Sequence, residues 1–509
     1  MKVQFLNKLL TSNIFAKRIL TVLLVFSFSA CDDYLDEIPD NRVNLDNLEK
    51  SAQLLTNAYP IASYAFTDWM TDDVGFTLGV TIRLNQEQAY EWEDFIADPT
   101  EQDTPIFYWF QTYEAIAHAN EVLAVLEDLP VNNEEDERFK RAIESEALLA
   151  RAYGHFMLVN LFAEHYDIQD ESNNNRNLGV PYVTTPETVF IKQYTRNSVG
   201  EVYDLVEEDM LRGIELVDDS FFANSGKYHF NRGAALAFAS RYYLFKGDYE
   251  RCAEYSSLLL GESPSSFVRD LTSQEFRSAS SSIERYPQLY NSPDLQSNLL
   301  LMRKISLVQR LDFAHGPTRP IYNSLFDENP YPGTTDRREN PAFVKGENAL
   351  FPVRYQSLFQ RSSLNSNVGF PYHIALAFRG EEVLLNRVEA NIFLNRVDQA
   401  LTDLQIFVDR RYSGDDTQVS IARLRAFYGV TGNANVSDRL VLYLYTLLER
   451  RKEFISQGMR WFDIKRLGLE VNHDLADGSL ITLAEDDLRK VLQIPQSAID
   501  VGGLRPNPR

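Results

Sequence analysis

Apolar residues return every three or four positions through much of the chain. In EDERFKRAIESEALLARAYGHFMLVNLFAEHY (Glu135 to Tyr166) they fall at Phe139, Ala142, Ile143, Leu149, Ala150, Tyr153, Phe156 and Met157. That spacing predicts an amphipathic helix, and its alanines keep the buried stripe shallow enough for a second helix to approach. The pattern comes in pairs. AALAFASRYYLFKGDYERCAEYSSLLL (Ala234 to Leu260) reads as helix, turn, helix, with Gly247 placed to end the first and Asp248 to cap the second. GEEVLLNRVEANIFLNRVDQALTDLQIFVDRR (Gly380 to Arg411) repeats the design. Two more pairs are expected, Phe107–Leu126 with Glu135–Tyr166, and Asp438–Gln457 with the segment after it. Four such hairpins, of tetratricopeptide type, can stack into a solenoid with a shared core.

Between 262 and 378 the periodicity fades. Stretches such as GESPSSFVRDLTSQEF and ENPYPGTTDRRENPAF are rich in Ser, Asn and Pro, and no helix of more than a few turns is evident. A span this long without regular structure is usually functional. The expectation is a mostly α protein: a helical scaffold over about 40–60, 105–261 and 379–468, with a loop-rich lobe over about 61–104 and 262–378. A terminal segment, 469–509, follows.

The amino terminus has another character. Lys17 and Arg18 precede ILTVLLVFSF (Ile19 to Phe28), which as a helix would span roughly 15 Å, too short to cross a bilayer. It fits the hydrophobic region of a signal peptide, 1–30. SAC then places small residues before Cys31, as in a bacterial lipobox, with acids Asp32 and Asp33 directly after. A lipid on Cys31 would anchor the mature chain; ordinary secretory cleavage is the alternative. The only other cysteine, Cys252, sits inside a helical pattern and reads as a small buried thiol.

Charge and motifs narrow the function. Fifty basic against 73 acidic residues give a net −23, which repels phosphate backbones and argues against nucleic acid. There is no nucleophile elbow, phosphate-cradling loop or paired cysteines, and the seven histidines show no close ligand spacing. No catalytic residue, metal site or cofactor is therefore assigned. Acids are so numerous that two suited to glycoside hydrolysis prove nothing.

The carboxyl-terminal LLERRKEFISQGMRWFDIKRLG (Leu447 to Gly468), followed by LQIPQSAI (Leu492 to Ile499), resembles the signature of the SusD/RagB family. CDDYLDEIP, LGVPYVT (Leu178 to Thr184), RNSVGEVYDLVEEDM (Arg196 to Met210) and DRR (Asp336 to Arg338) occur in the family's order. Read physically, Glu449 and Glu453 share a helical face beside Arg450 and Arg451, and Trp461, Asp463 and Arg466 suit scaffold roles. The resemblance implies a SusD-like fold and a lipid-anchored protein at the cell surface in the outer membrane. It implies capture of an oligosaccharide and delivery to a SusC-like TonB-dependent transporter. Peptide capture, as in RagB-like proteins, is the alternative; a surface glycan hydrolase and a tetratricopeptide scaffold for protein partners are further ones. The family's ligand face points here to Tyr64, Trp69, Asp72, Arg83 and Tyr90, and in the long lobe to Tyr286, Tyr290, Tyr322 and Tyr331. Exposed aromatic platforms flanked by polar groups are what sugars require, because a sugar offers apolar C–H faces and polar edges.

Overall fold

The computed structural model describes residues 45–189, 192–222, 225–310 and 313–509. Cys31 and the stretch expected to be a signal peptide, 1–30, lie outside them, and the body from Asn47 to Arg509 is one compact unit. Its principal helices are α1 (Leu48–Leu55), α2 (Leu84–Tyr90), α3 (Pro105–Leu126), α4 (Glu134–Phe162), α5 (Val199–Leu216), α6 (Arg232–Lys246) and α7 (Tyr249–Leu260). They continue with α8 (Gly380–Phe393), α9 (Val397–Asp409), α10 (Asp438–Phe454) and α11 (Arg460–Leu467).

Three of the expected helix pairs form where the pattern places them; the fourth does not, since Asp438–Phe454 packs on Gly380–Phe393 and on Ile421–Phe427 rather than on the helix that follows it. α3 packs on α4, α4 on α5, α6 on α7, α7 on α8, and α8 on both α9 and α10. Local chemistry sets the ends. Asn133 and Asn231 accept the N–H groups of Asp136 and Ala234, Ser198 and Glu201 close a capping box, and Gly247 takes the left-handed conformation after α6. α4 is enclosed for its last five turns, which is why its outer face is no longer polar there. Its Gly154 lies where a Cβ would sit 2.8 Å from the Ile116 side chain, so α3 and α4 approach at the distance only glycine permits.

The long lobe differs from expectation. It contains a three-stranded antiparallel sheet in the order β1 (Asn298–Ile305), β3 (Gly369–Arg379), β2 (Leu358–Arg361). β1 pairs with β3 from Asn298↔Arg379 to Ile305↔Tyr372, with a bulge near Leu300. NLLLMRKI is buried almost throughout, so both faces of the strand are covered. The alternation that would have marked it is missing for that reason.

Buried ion pairs bind the segments that the terminal signature and DRR supply. Arg338 reaches Asp336 at 2.6 Å and Glu449 at 2.7 Å, Arg411 reaches Glu453 at 2.7 Å, and Arg450 reaches Asp463 at 3.1 Å. Burial alone would raise the Asp336 carboxyl; Arg338 and Lys452 beside it hold it below the usual range. Breaking such a pair strands a charge in the core and costs about 3–5 kcal/mol. Those motifs are scaffold. Cys252 is likewise structural: fully enclosed, its thiol is pushed up to about 12, mainly by burial.

Candidate functional site

The segment from Tyr64 to Asp73 is anchored on both sides by the terminal signature. Its middle is a 3-10 turn, Ala65–Met70. Asp68 accepts the Gly458 N–H at 2.8 Å, and the Thr67 hydroxyl donates to the Gly458 carbonyl at 3.0 Å. Gly458 has φ +76, and a Cβ there would meet the Tyr64 ring at 2.6 Å, so the turn after α10 admits glycine alone at this contact. Arg451 and Arg460 close on Asp72 and Asp73 from the other side. The loop is thus fixed by the terminal signature, and Trp69 with it.

Trp69 borders a cavity of about 440 Å³ walled by Ile82, Arg83, Asn85 and Gln86, by Thr100 to Asp103, and by Leu307 and Phe313. The indole is only 3% exposed and meets Phe313 edge-on, with centroids 5.3 Å apart. Ile82 and Leu84 stand at the rim, 44% and 59% exposed. The walls are rich in polar atoms without a protein partner: both amide atoms of Gln86, a side chain 1% exposed, together with Nε of Arg83 and Oδ1 of Asp103. Each such group, buried and unmatched, costs about 1–3 kcal/mol. Asp103 has φ +59, in the left-handed region, and its Oδ2 accepts the Leu307 N–H at 2.7 Å. Burial raises its carboxyl to about 6, against the lowering effect of Ser306 and Leu307. At neutral pH it accepts; below about 6 it can donate.

This arrangement offers an aromatic and aliphatic border, an amide that both donates and accepts, a guanidinium and a carboxylate. Polyhydroxylated rings present the matching surface, apolar on the faces and alternately donating and accepting at the edge.

Of the residues expected here from sequence, Trp69 and Arg83 come together. The others do not. Tyr90 is clamped between His473 and His315, with ring centroids 4.0 and 4.2 Å away, and its hydroxyl donates to the Asp474 carbonyl. Tyr286 and Tyr290 stack in a cluster with Leu271, Phe276 and Leu376, and Arg269 covers Tyr290 at 3.8 Å. Tyr322 packs on Phe326 and donates to the Glu339 carbonyl; Tyr331 packs on Tyr412. Tyr64 is held edge-on by Tyr108 and Phe462. Tyr90, Tyr286, Tyr290, Tyr322 and Tyr331 are interior packing and offer no free face for stacking a sugar, while Tyr64 is half-buried, outside the Trp69 cavity. Asp72 is occupied by Arg460 and Arg451. Gln86 and Asp103 gave no sign in sequence: a glutamine on a seven-residue helix looks solvated, and Asp103 looks like a residue leading into the Pro105 helix start.

Among the described residues no cluster of three His, Cys, Asp or Glu side chains could hold a metal ion, and no helix is long and apolar enough to cross a membrane.

Residues 33–244 match a SusD-like family model described as starch-binding and associating with the outer membrane. No curated protein sequence matches. Among solved structures, a SusD superfamily protein from Bacteroides thetaiotaomicron is 21% identical, with 91% of this chain and 100% of that one covered at a TM-score of 0.64. A SusD superfamily protein from Bacteroides fragilis gives 20% identity, 90% and 97% coverage and a TM-score of 0.65. A SusD-like carbohydrate binding protein from Bacteroides vulgatus gives 16% identity, 90% and 97% coverage and a TM-score of 0.63.

Proposed function

We propose that the chain, whose residues 33–244 match a SusD-like family model and whose fold is that of SusD superfamily structures, is a member of that family and a non-catalytic binding protein for oligosaccharide nutrients. It is anchored through a lipid on Cys31 at the outer face of the outer membrane and passes its cargo to a SusC-like TonB-dependent transporter. The observation that carries the binding reading is the cavity of Trp69 and Arg83, whose Gln86 amide is buried with neither atom matched by the protein. A rotation of the Gln86 side chain toward the cavity would let a ligand hydroxyl pair satisfy both atoms at once. The family description supports a glucan-type saccharide as first choice. Cys31 and the acids after it support the anchor and the surface location. Tethering over a transporter lets modest affinity suffice, because local concentration stands in for tight binding. A few ring contacts of about 0.5–1.5 kcal/mol each would give roughly millimolar to micromolar capture.

Titration of a panel of α- and β-linked oligosaccharides and of oligopeptides against the protein and its Gln86→Leu and Arg83→Met variants tests this. Saccharide binding weakened in both variants supports it; peptide binding alone would move the cargo to the RagB-like alternative. A second reading, hydrolysis, is favoured by one feature, the raised Asp103 carboxyl beside Glu101 in the same cavity. New reducing ends that disappear in Asp103→Asn would establish it.

A further inference from the structure

A second cavity, of about 470 Å³, opens between the end of α1, the outer face of α3, the turn at Tyr228 and His229, and Leu301 to Arg303 of β1. Its base is built rather than incidental. The Glu146 carboxylate is buried under it, and a single oxygen, Oε1, takes the Tyr59 hydroxyl at 2.5 Å and Nδ1 of His229 at 2.7 Å. Its other oxygen has no protein partner. Phe222 stacks on the His229 ring, with centroids 4.5 Å apart and planes 17° from parallel. The imidazole is therefore fixed in place and in orientation on the cavity wall, in the way a carboxylate and an aromatic neighbour fix a functional histidine. The rest of the wall alternates in the same sense: Glu114 and Gln111, joined at 2.7 Å, face Met302 and Ile61. Nδ1 of His118 is buried without a hydrogen-bond partner, its contact with Glu121 being 3.8 Å. The Tyr228 ring, 42% exposed, stands at the mouth.

We propose that this cavity is a second saccharide site, distinct from the one at Trp69, that takes a neutral polyhydroxylated ring. The inference rests on the binding reading above. An anion is disfavoured by Glu114 on the wall and Glu146 beneath it. A resident metal is disfavoured by the absence of any three-ligand cluster among the described residues. A neutral ring matches the mixture of carboxylate, amide and imidazole, and Tyr228 can cover its apolar face. The two cavities share one stretch of chain: β1 supplies Leu301 to Arg303 here and ends at Ile305, two residues before Leu307, which lines the first.

The test is a site-resolved titration with the best saccharide of the panel, reading the ¹³C methyl of Met302 for this cavity and the indole N–H of Trp69 for the first. Both signals are expected to move. Tyr228→Ala combined with Glu114→Gln, both changes near the surface, should weaken the Met302 response about three- to tenfold and leave the Trp69 response unchanged. Gln86→Leu should do the converse. If Trp69 responds and Met302 does not, or if Gln86→Leu abolishes both, the second site is refuted while the first stands. If Met302 alone responds, the second site stands and the first is misplaced. If no saccharide moves either signal, both readings fall.

Discussion

The carboxylate of Asp72 receives Nε and Nη2 of Arg460 at 2.9 Å each, a two-pronged bond between positions 388 residues apart. Burial works against the Asp72 charge, but Arg460 and Arg451 prevail and hold it below the usual carboxylate range. The pair ties the loop that carries Trp69 to the start of α11. Its removal should therefore be felt in both stability and binding.

Arg460→Met is expected to destabilise the protein by about 1.5–3 kcal/mol, the range for hydrogen bonds to a charged group, read as a lower denaturant midpoint. Saccharide affinity should fall with it although Arg460 does not line the cavity. Unchanged affinity in a destabilised variant would show that the loop keeps its place without this tie.

Lys304 is buried opposite His373 in the β1–β3 ladder, with the Pro60 carbonyl as acceptor for its ammonium. Burial lowers it from 10.5 to about 7. A lysine lowered on folding is bound less tightly by protons in the folded state, so the native protein is penalised increasingly as pH falls from about 10.5 to about 7. Lys304→Met should be more stable than wild type at pH 7. That advantage should shrink by about 1.4 kcal/mol per unit as pH rises towards 10. Thermal unfolding of both proteins between pH 7 and 9.5 checks the slope.

Asp103 titrates the other way. Its folded value of about 6 lies above the ordinary 3.8, so its contribution is fully present below about 4 and is lost as pH rises through 6. The stability difference between wild type and Asp103→Asn should accordingly change in favour of the variant across pH 4 to 7, by on the order of 3 kcal/mol at most. A flat difference would mean the carboxyl is not desolvated as the cavity implies.

The paired helices were legible because their buried stripes repeat with the helical period and because glycine and asparagine stand at the ends. Gly247 is the plainest case: a turn glycine between two amphipathic runs, found left-handed. The sheet was not legible, since LLLM in β1 is enclosed on both faces and carries no alternation. The cavity was legible only in part. Trp69 beside acids draws the eye, yet five of the six tyrosines named with it are core residues and Tyr64 is half-buried, because an enclosed ring and a stacking ring look alike in one dimension. Gln86 and Asp103 acquire their meaning from chain brought in from afar, as with the Leu307 N–H that Asp103 accepts across 204 positions. No local pattern encodes that.

The lipid anchor is a separate question of chemistry. Growth of an expressing bacterium with an alkyne-bearing fatty acid should label the wild type and not Cys31→Ser, and only the labelled form should sediment with the outer membrane. Label retained without Cys31 would place the anchor elsewhere.

Gln86→Leu tests the central claim most directly, by comparing saccharide titration with unfolding of the same samples. Replacing a buried amide that has no protein partner by an apolar side chain of similar size should leave the unliganded protein as stable or more stable, by about 1 kcal/mol, while affinity for the cargo falls about tenfold. Undiminished binding, or a variant less stable than wild type, would contradict the assignment of this cavity as the place where the cargo is held.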